Sequence, residues 1–141
     1  NLTKTKAITG QSPVLSITLI GMALLINSLI IFVSFLHFYF LVLEMFLWTK
    51  PIGLKVFRQT LEKAQITSAL AANQGLYNGF LSAGLVWGLI YKDPKTAIEI
   101  QTFFLTCVVL AGIYGAYSVH KRIFWIQSAP ALIALLLLSL S

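Results

Sequence analysis

Four apolar stretches separated by short polar connections constrain this chain more than any other feature. They predict helical spans at about residues 24–48, 66–91, 97–119 and 123–140. Each is close to the length of about 20 residues that a helix needs to cross the hydrocarbon core of a bilayer. Only 10% of the residues are charged, which is too few to cover a water-facing surface. We therefore predict an all-α, polytopic membrane protein whose residues 24–141 form a four-transmembrane-helix bundle.

Residues 1–23 precede the first predicted span and form an N-terminal extension whose structure the sequence leaves open. The apolar run begins at Val14 and continues to Trp48. As one helix it would be about 50 Å long, whereas a bilayer core is about 30 Å thick. The extension is therefore either a continuation of the first helix or a separate interfacial segment.

The connection between the first two spans is basic and amphipathic. Its basic residues are Lys50, Lys55, Arg58 and Lys63. Leu54, Phe57 and Leu61 recur at helical spacing on the other side. This pattern predicts a short interfacial amphipathic helix that lies among the lipid headgroups. Membrane lipids are thus the first expected partners.

The distribution of basic residues predicts the orientation of the chain. The connections 49–65 and 118–122 hold six Lys and Arg residues, against four on the opposite side. Basic residues accumulate on the cytoplasmic side of membrane proteins, so these two connections are expected to be cytoplasmic and both termini outside. The net charge of +6 does not indicate nucleic acid as a partner, because the basic residues lie between apolar spans where they contact headgroups.

Small residues recur on the second span at steps of four. They are Ala71, Gly75, Gly79 and Ala83. Small residues at this spacing allow helix backbones to approach closely in lipid. We expect the second and third spans to be in contact along this ladder.

Polar residues on all four spans lie at a similar distance from the two basic connections. They are His37 and Glu44 on the first span; Asn73, Gln74, Tyr77 and Asn78 on the second; Tyr114 and Tyr117 on the third; and Gln127 on the fourth. Polar groups in hydrocarbon are costly unless they are paired or reach water. Their common depth predicts a polar cavity in the half of the bundle nearest the basic connections.

Glu44 is the first candidate for a functional residue in this cavity. A carboxyl group in hydrocarbon needs a cation or several hydrogen-bond donors beside it. His37 and the amides of Asn73 and Gln74 could serve, or Glu44 could reach a basic residue at the interface. The amides could equally act only as contacts between helices. No metal or cofactor is expected, because His37 and Glu44 are fewer than the three or four ligands of a metal site.

Two motifs resemble a known family of small bacterial integral membrane proteins. They are Leu-Glu-Met-Phe-Leu-Trp at 43–48 and Asn-Gln-Gly-Leu-Tyr-Asn at 73–78, followed by Gln127 and Pro130-Ala131. Together they are similar to domain-of-unknown-function family 1304, from about Leu25 to the C-terminus. Ser128 and Ala129 stand where that family has glycine before the proline. The resemblance implies a four-helix protein of the bacterial inner membrane, but no activity and no catalytic residues.

Three functions remain open from the sequence. The first is binding or transport of a small molecule or lipid in the polar half, through Glu44, His37, Asn73, Gln74, Tyr77, Asn78 and Gln127. The second is an intramembrane enzyme in which Glu44 and His37 form an acid–base pair. The third is an accessory or structural subunit of a membrane complex, or a homo-oligomer, in which the polar groups only join helices.

Overall fold

The structure, a computed structural model, describes residues 13–140, and within this range it is helical with no strands. The helices are α1 (Pro13–Met45), α2 (Pro51–Phe57), α3 (Leu61–Ile66), α4 (Ser68–Ile90), α5 (Pro94–Ser118) and α6 (Ala129–Ser139), with a π-helical turn at Phe124–Ser128 directly before α6. The prediction of an all-helical chain is confirmed. Apart from the start of α1, these bounds lie within about three residues of the predicted spans.

Two of the helices are long and apolar enough to cross a membrane. They are Val14–Met45 and Pro94–Ser118. The π-helical turn and α6 together form a shorter apolar helix, Phe124–Ser139. By length and composition, two helices in the described part of the chain are candidate membrane spans. The hydropathy of the sequence predicted four.

Helix α1 continues without a break through the predicted boundary at residue 24. It has 33 residues and is therefore about 50 Å long. Residues 13–23 of the predicted N-terminal extension belong to this helix, while residues 1–12 lie outside the described part of the chain.

The prediction of one amphipathic helix between the first two spans is wrong, because the segment forms two short helices. Helix α2 ends at Arg58, whose backbone is left-handed with φ 50° and whose N–H donates to the carbonyl of Leu54. Helix α3 then begins after Thr60, whose side chain accepts a hydrogen bond from the N–H of Lys63. A left-handed residue ends an α-helix, so a single helix cannot run through Arg58.

Trp48 attaches this connection to the bundle. Its ring packs on Phe57 of α2, with ring centroids 4.5 Å apart. Its Nε1–H donates to the hydroxyl of Thr67, 3.1 Å away, just before α4 begins. The connection is therefore held against the ends of both α1 and α4.

The small residues of α4 pack on α1, which corrects the predicted contact of this ladder with the third span. A Cβ atom added at Gly75 would lie 3.0 Å from the backbone N of Met45 and 3.1 Å from the carbonyl O of Leu41. Gly79 also faces Leu41. Ala83, the last member of the ladder, is exposed.

Helix α4 does contact α5, but through two other glycines. Gly84 lies against the ring of Phe104, and Gly88 against Gln101. The Gln101 amide donates to the carbonyl O of Gly88 at 2.9 Å. Helix α4 therefore packs between α1 and α5, with a different set of glycines on each side.

The apolar core lies in the half of the bundle away from the basic connections. Its buried members are Ile26, Ile30 and Val33 of α1, Leu85 of α4, Leu105 and Val108 of α5, and Ala131, Ala134 and Leu138 of α6. All four long helical segments contribute to it. The other half of the bundle holds the polar residues.

The short connection between α4 and α5 contains Asp93, which caps the N-terminus of α5. Asp93 Oδ2 accepts hydrogen bonds from the N–H and the hydroxyl of Thr96, and these bonds lower the pKa of Asp93. Because the pKa is lowered, the cap stabilises the fold at pH values above the ordinary carboxyl pKa of 3.8. This stabilisation is lost as the pH falls through the lowered pKa. Asp93→Ala should reduce the melting temperature in detergent at pH 7.

Asp93→Asn serves as the control for this cap, because asparagine also caps helices. It should melt close to the wild-type temperature at pH 7. The difference between wild type and Asp93→Ala should shrink toward pH 3. A difference that is unchanged between pH 7 and pH 3 would contradict this account of the cap.

Candidate functional site

The last helix contains a wider π-helical turn, which positions the polar residue Gln127. Pro130 has no N–H to donate to the carbonyl four residues earlier, and its ring displaces that carbonyl. The N–H of Ala129 instead bonds to the carbonyl of Phe124, five residues back. The Ser128 hydroxyl donates to the carbonyl of Val109 in α5 at 3.0 Å. Such turns within helices are frequent at functional sites.

The side chain of Gln127 is hydrogen-bonded to that of His37, which is fully buried. The Nδ1 atom of His37 lies 2.8 Å from the carbonyl O of Val33. Since a carbonyl oxygen only accepts, Nδ1 carries the proton. The Nε2 atom of His37 then accepts from the side-chain amide of Gln127, at 3.0 Å. One tautomer of His37 therefore satisfies both bonds and joins α1 to the π-helical turn.

Glu44 is bonded to Asn78, which is 5% exposed. The Asn78 amide donates to Glu44 Oε2 at 2.7 Å. Gly75, one turn earlier on α4, makes this bond possible: a Cβ there would lie only 3.1 Å from the Cβ of Glu44. The close approach of α1 and α4 thus places the Asn78 amide within reach of the carboxyl group.

The four residues Glu44, Asn78, His37 and Gln127, here called the polar cluster, keep unused hydrogen-bond acceptors. The second carboxyl oxygen of Glu44 and the amide oxygens of Asn78 and Gln127 make no hydrogen bond with any described residue. Within residues 13–140, Gln59 Nε2 is the one fully buried polar side-chain atom without a partner. The three oxygens of the polar cluster therefore retain some solvent-accessible surface.

Glu44 and His37 do not bond to each other. Each is paired with an amide from a different helix, and seven residues separate them, which is about 10 Å along α1. The partner of Glu44 is Asn78 and not a basic residue of the connections. This geometry does not favour the acid–base alternative.

The other predicted site residues lie outside the polar cluster. Asn73, Gln74 and Tyr77 are exposed on the outer face of α4, with the Tyr77 ring beside Phe80. The third-span tyrosines Tyr114 and Tyr117 are also exposed. Ligand binding by Asn73, Gln74 and Tyr77 stays a prediction.

A buried serine pair, which was not among the predicted site residues, extends the polar contact between α1 and α4. The Ser34 hydroxyl lies 3.0 Å from the hydroxyl and 3.1 Å from the carbonyl O of Ser82. Ser34 is three residues before His37, and Ser82 is four residues after Asn78. Helical spacing from the predicted residues was the signal that could have found both.

The structure offers little for a metal ion or a large ligand at the polar cluster. Among residues 13–140 no three His, Cys, Asp or Glu side chains come close enough to hold a metal. A cavity of about 270 Å³ lies at the opposite end, between the N-terminal half of α1 and the start of α5. A groove of about 500 Å³ lies between α5 and the last helix. Neither of them contacts the polar cluster.

Comparison with known proteins gives one family and one curated relative. Residues 31–139 match the family model described as "Protein of unknown function (DUF1304)". The chain is 30% identical over 115 residues to the "Uncharacterized protein YpaA" of Lactococcus lactis subsp. lactis (strain IL1403). This match covers 79% of the chain and 92% of the relative. No solved structure gives a significant match.

Proposed function

The chain belongs to the DUF1304 family of proteins of unknown function, and we propose that it is a four-span membrane protein that binds or transports a small polar molecule or a lipid headgroup. The membrane would be the bacterial inner membrane, with the connections 49–65 and 118–122 on the cytoplasmic side. The ligand would be held by the polar cluster, in the half of the bundle nearest these connections.

The length and packing of α4 support a crossing in addition to those of α1 and α5. Helix α4 has 23 residues and is therefore about 34 Å long, enough for a bilayer core of about 30 Å. It packs along α1 and α5, the two helices that qualify as spans by themselves. A helix lying between two crossing helices shares their depth, so α4 would cross with them.

Exposed aromatic residues also fit a bilayer around these helices. Tyr117 and Trp125, at the end with the basic connections, are 88% and 72% exposed. Trp87 and Tyr91 are exposed at the other end of α4. Tryptophan and tyrosine concentrate at the two interfaces of a membrane protein. Large apolar side chains such as Phe35 are exposed between these levels, as they would be toward lipid.

The observation that carries the binding proposal is the set of unused oxygens in the polar cluster. One amide N–H of Asn78 donates to Glu44 and one of Gln127 donates to His37, while the three oxygens without a partner are all acceptors. Acceptors in a low-dielectric site favour a ligand that donates hydrogen bonds. An amine, a hydroxyl group or an ethanolamine-type headgroup has this chemistry.

Native mass spectrometry of protein extracted from its own membrane tests the proposal. The wild-type protein should carry a small non-covalent adduct, because the three oxygens lie on an accessible surface. Glu44→Gln should lose most of this adduct, since it replaces one carboxyl oxygen by an amide donor while leaving an oxygen for Asn78. We expect at least a tenfold lower occupancy.

Glu99→Gln is the matched control, because Glu99 is an exposed carboxyl group near the start of α5, outside the polar cluster. It should retain the adduct. The binding proposal is wrong if wild-type protein carries no adduct, or if Glu44→Gln retains it fully.

The exposed amides of α4 favour a second candidate, a subunit role. Asn73 and Gln74 lie within the proposed span, where lipid contact with an amide is unfavourable. A second copy of the chain or another subunit could cover them. The same spectra report the mass of the assembly, and a dimer lost in Gln74→Leu would support this candidate over a ligand-binding monomer.

A further inference from the structure

An apolar groove with a basic residue lies on the outer surface of the bundle, away from the polar cluster. It runs between the last turns of α5 and the beginning of the last helix and has a volume of about 500 Å³. Its lining residues are Ile113, Ala116, Lys121, Phe124 and Trp125. Four of the five are apolar or aromatic, so the groove has the chemistry of an amphiphile site.

The charge at the groove has no counter-ion in its own part of the chain. Lys121 and the adjacent Arg122 are both exposed. No Asp or Glu follows Glu99 in the sequence, and Glu99 is at the opposite end of α5. The two cations are therefore available to an external anion.

The depth of the groove in the proposed membrane indicates what kind of anion could reach it. Tyr117 and Trp125 mark this end of the helices as the interfacial level of the proposed four-span arrangement. Lys121 would lie among the headgroups, and Ile113 would lie about two turns deeper, beside the acyl chains. A molecule that fills the groove must therefore be charged at the interface and apolar below it.

We propose that this groove binds an acidic phospholipid, with its phosphate group at Lys121 and an acyl chain along Ile113 and Trp125. Two adjacent cations favour a headgroup with net negative charge over a zwitterionic one, whose own cation would be repelled. The inference rests on the membrane embedding in the proposed function, but not on ligand binding by the polar cluster.

Quenching of tryptophan fluorescence by brominated lipids tests this site directly. One protein retains Trp125 alone (W48F, W87F), and a matched protein retains Trp87 alone at the other end of α4 (W48F, W125F). Each is reconstituted into vesicles with equal fractions of brominated phosphatidylglycerol or brominated phosphatidylcholine. Trp125 should be quenched more strongly by the acidic lipid, whereas Trp87 should be quenched equally by both.

Lys121→Gln in the protein with Trp125 alone should reduce the preference for the acidic lipid about fivefold. This is the equivalent of about 1 kcal/mol for one basic residue near an anionic surface. Lys92→Gln, at the other end of the helices, should leave the preference unchanged. Because Lys121 is exposed, the substitution does not endanger the fold.

The outcomes separate this inference from the proposed function. Equal quenching of Trp125 by the two lipids, or a preference that survives Lys121→Gln, overturns the groove as an acidic-lipid site and leaves the membrane embedding intact. Absence of quenching by either lipid at both tryptophans overturns the embedding, and the groove with it.

Discussion

Gly75→Leu is expected to separate α1 from α4 and to lower the free energy of unfolding by about 3 kcal/mol, the upper end of the usual cost of overpacking. A Cβ at this position would already lie 3.0 Å from the backbone of Met45 and 3.1 Å from that of Leu41. A backbone cannot move aside as a flexible side chain can, so the helices must move apart. Unfolding in mixed detergent micelles, followed by circular dichroism, measures the effect.

Gly21→Leu is the control for this substitution. Gly21 lies within α1, and a Cβ there would have no heavy atom within 4 Å. Its unfolding free energy should stay the same or rise by up to about 1 kcal/mol, because leucine has a higher helix propensity than glycine. If both variants unfold alike, the close contact at Gly75 does not hold α1 and α4 together.

Asn78→Leu should have the second largest effect, a loss of about 1–3 kcal/mol of stability. The substitution removes the amide that donates to Glu44 Oε2 at 2.7 Å and leaves the carboxyl group half-buried without its partner. A leucine of similar size leaves little cavity, so the lost hydrogen bond dominates. The same detergent unfolding measurement applies.

A double-mutant cycle with Glu44→Leu isolates the bond itself. When both residues are leucine, no unpaired polar group remains, and the double variant should be more stable than the sum of the single changes indicates by at least about 0.6 kcal/mol. Asn73→Leu, an exposed amide on the same helix, should cost little or nothing. Additive effects of the two single substitutions would mean that Glu44 and Asn78 do not interact.

The depth of polar residues could be predicted from the sequence, but their direction around the helix could not. Counting from the basic connections placed Glu44 and Asn78 in the same half of the bundle, where the structure pairs them, but it put Asn78 level with His37. The same count also made Asn73 and Gln74 candidate site residues, although both side chains face outward. Distance along a helix follows from residue number, whereas rotation depends on which neighbours the helix packs against. Apolar residues all round α4 leave that rotation undetermined.

The small residues of α4 show the same limit. Their spacing correctly indicates a close helix contact, but it does not identify the partner. Helix α1 occupies the face with Gly75, and α5 occupies the face with Gly84 and Gly88. Steps of four are the same pattern on either face, so only the three-dimensional arrangement distinguishes them.

Local backbone features were the least predictable part of the fold. Arg58 adopts a left-handed conformation that glycine or asparagine would have signalled, so the break between α2 and α3 was not expected. Pro130 cannot continue the regular hydrogen bonding of an α-helix. It did not indicate that the helix would widen rather than bend.

The π-helical turn at Phe124–Ser128 has a consequence for the angular register of the last helix. A π-helical turn accommodates one residue more than an α-helical turn, which shifts the direction of preceding side chains by about 100° relative to those that follow. The π-helical turn thereby allows Ile123 to pack near Gly115 while Ala131 lies in the apolar core. Deleting one residue from the turn would close it into a regular helix, and one of these two contacts would be lost. Such a deletion would therefore rotate the Ile123 end of this helix relative to α5, although every residue of the core would stay the same.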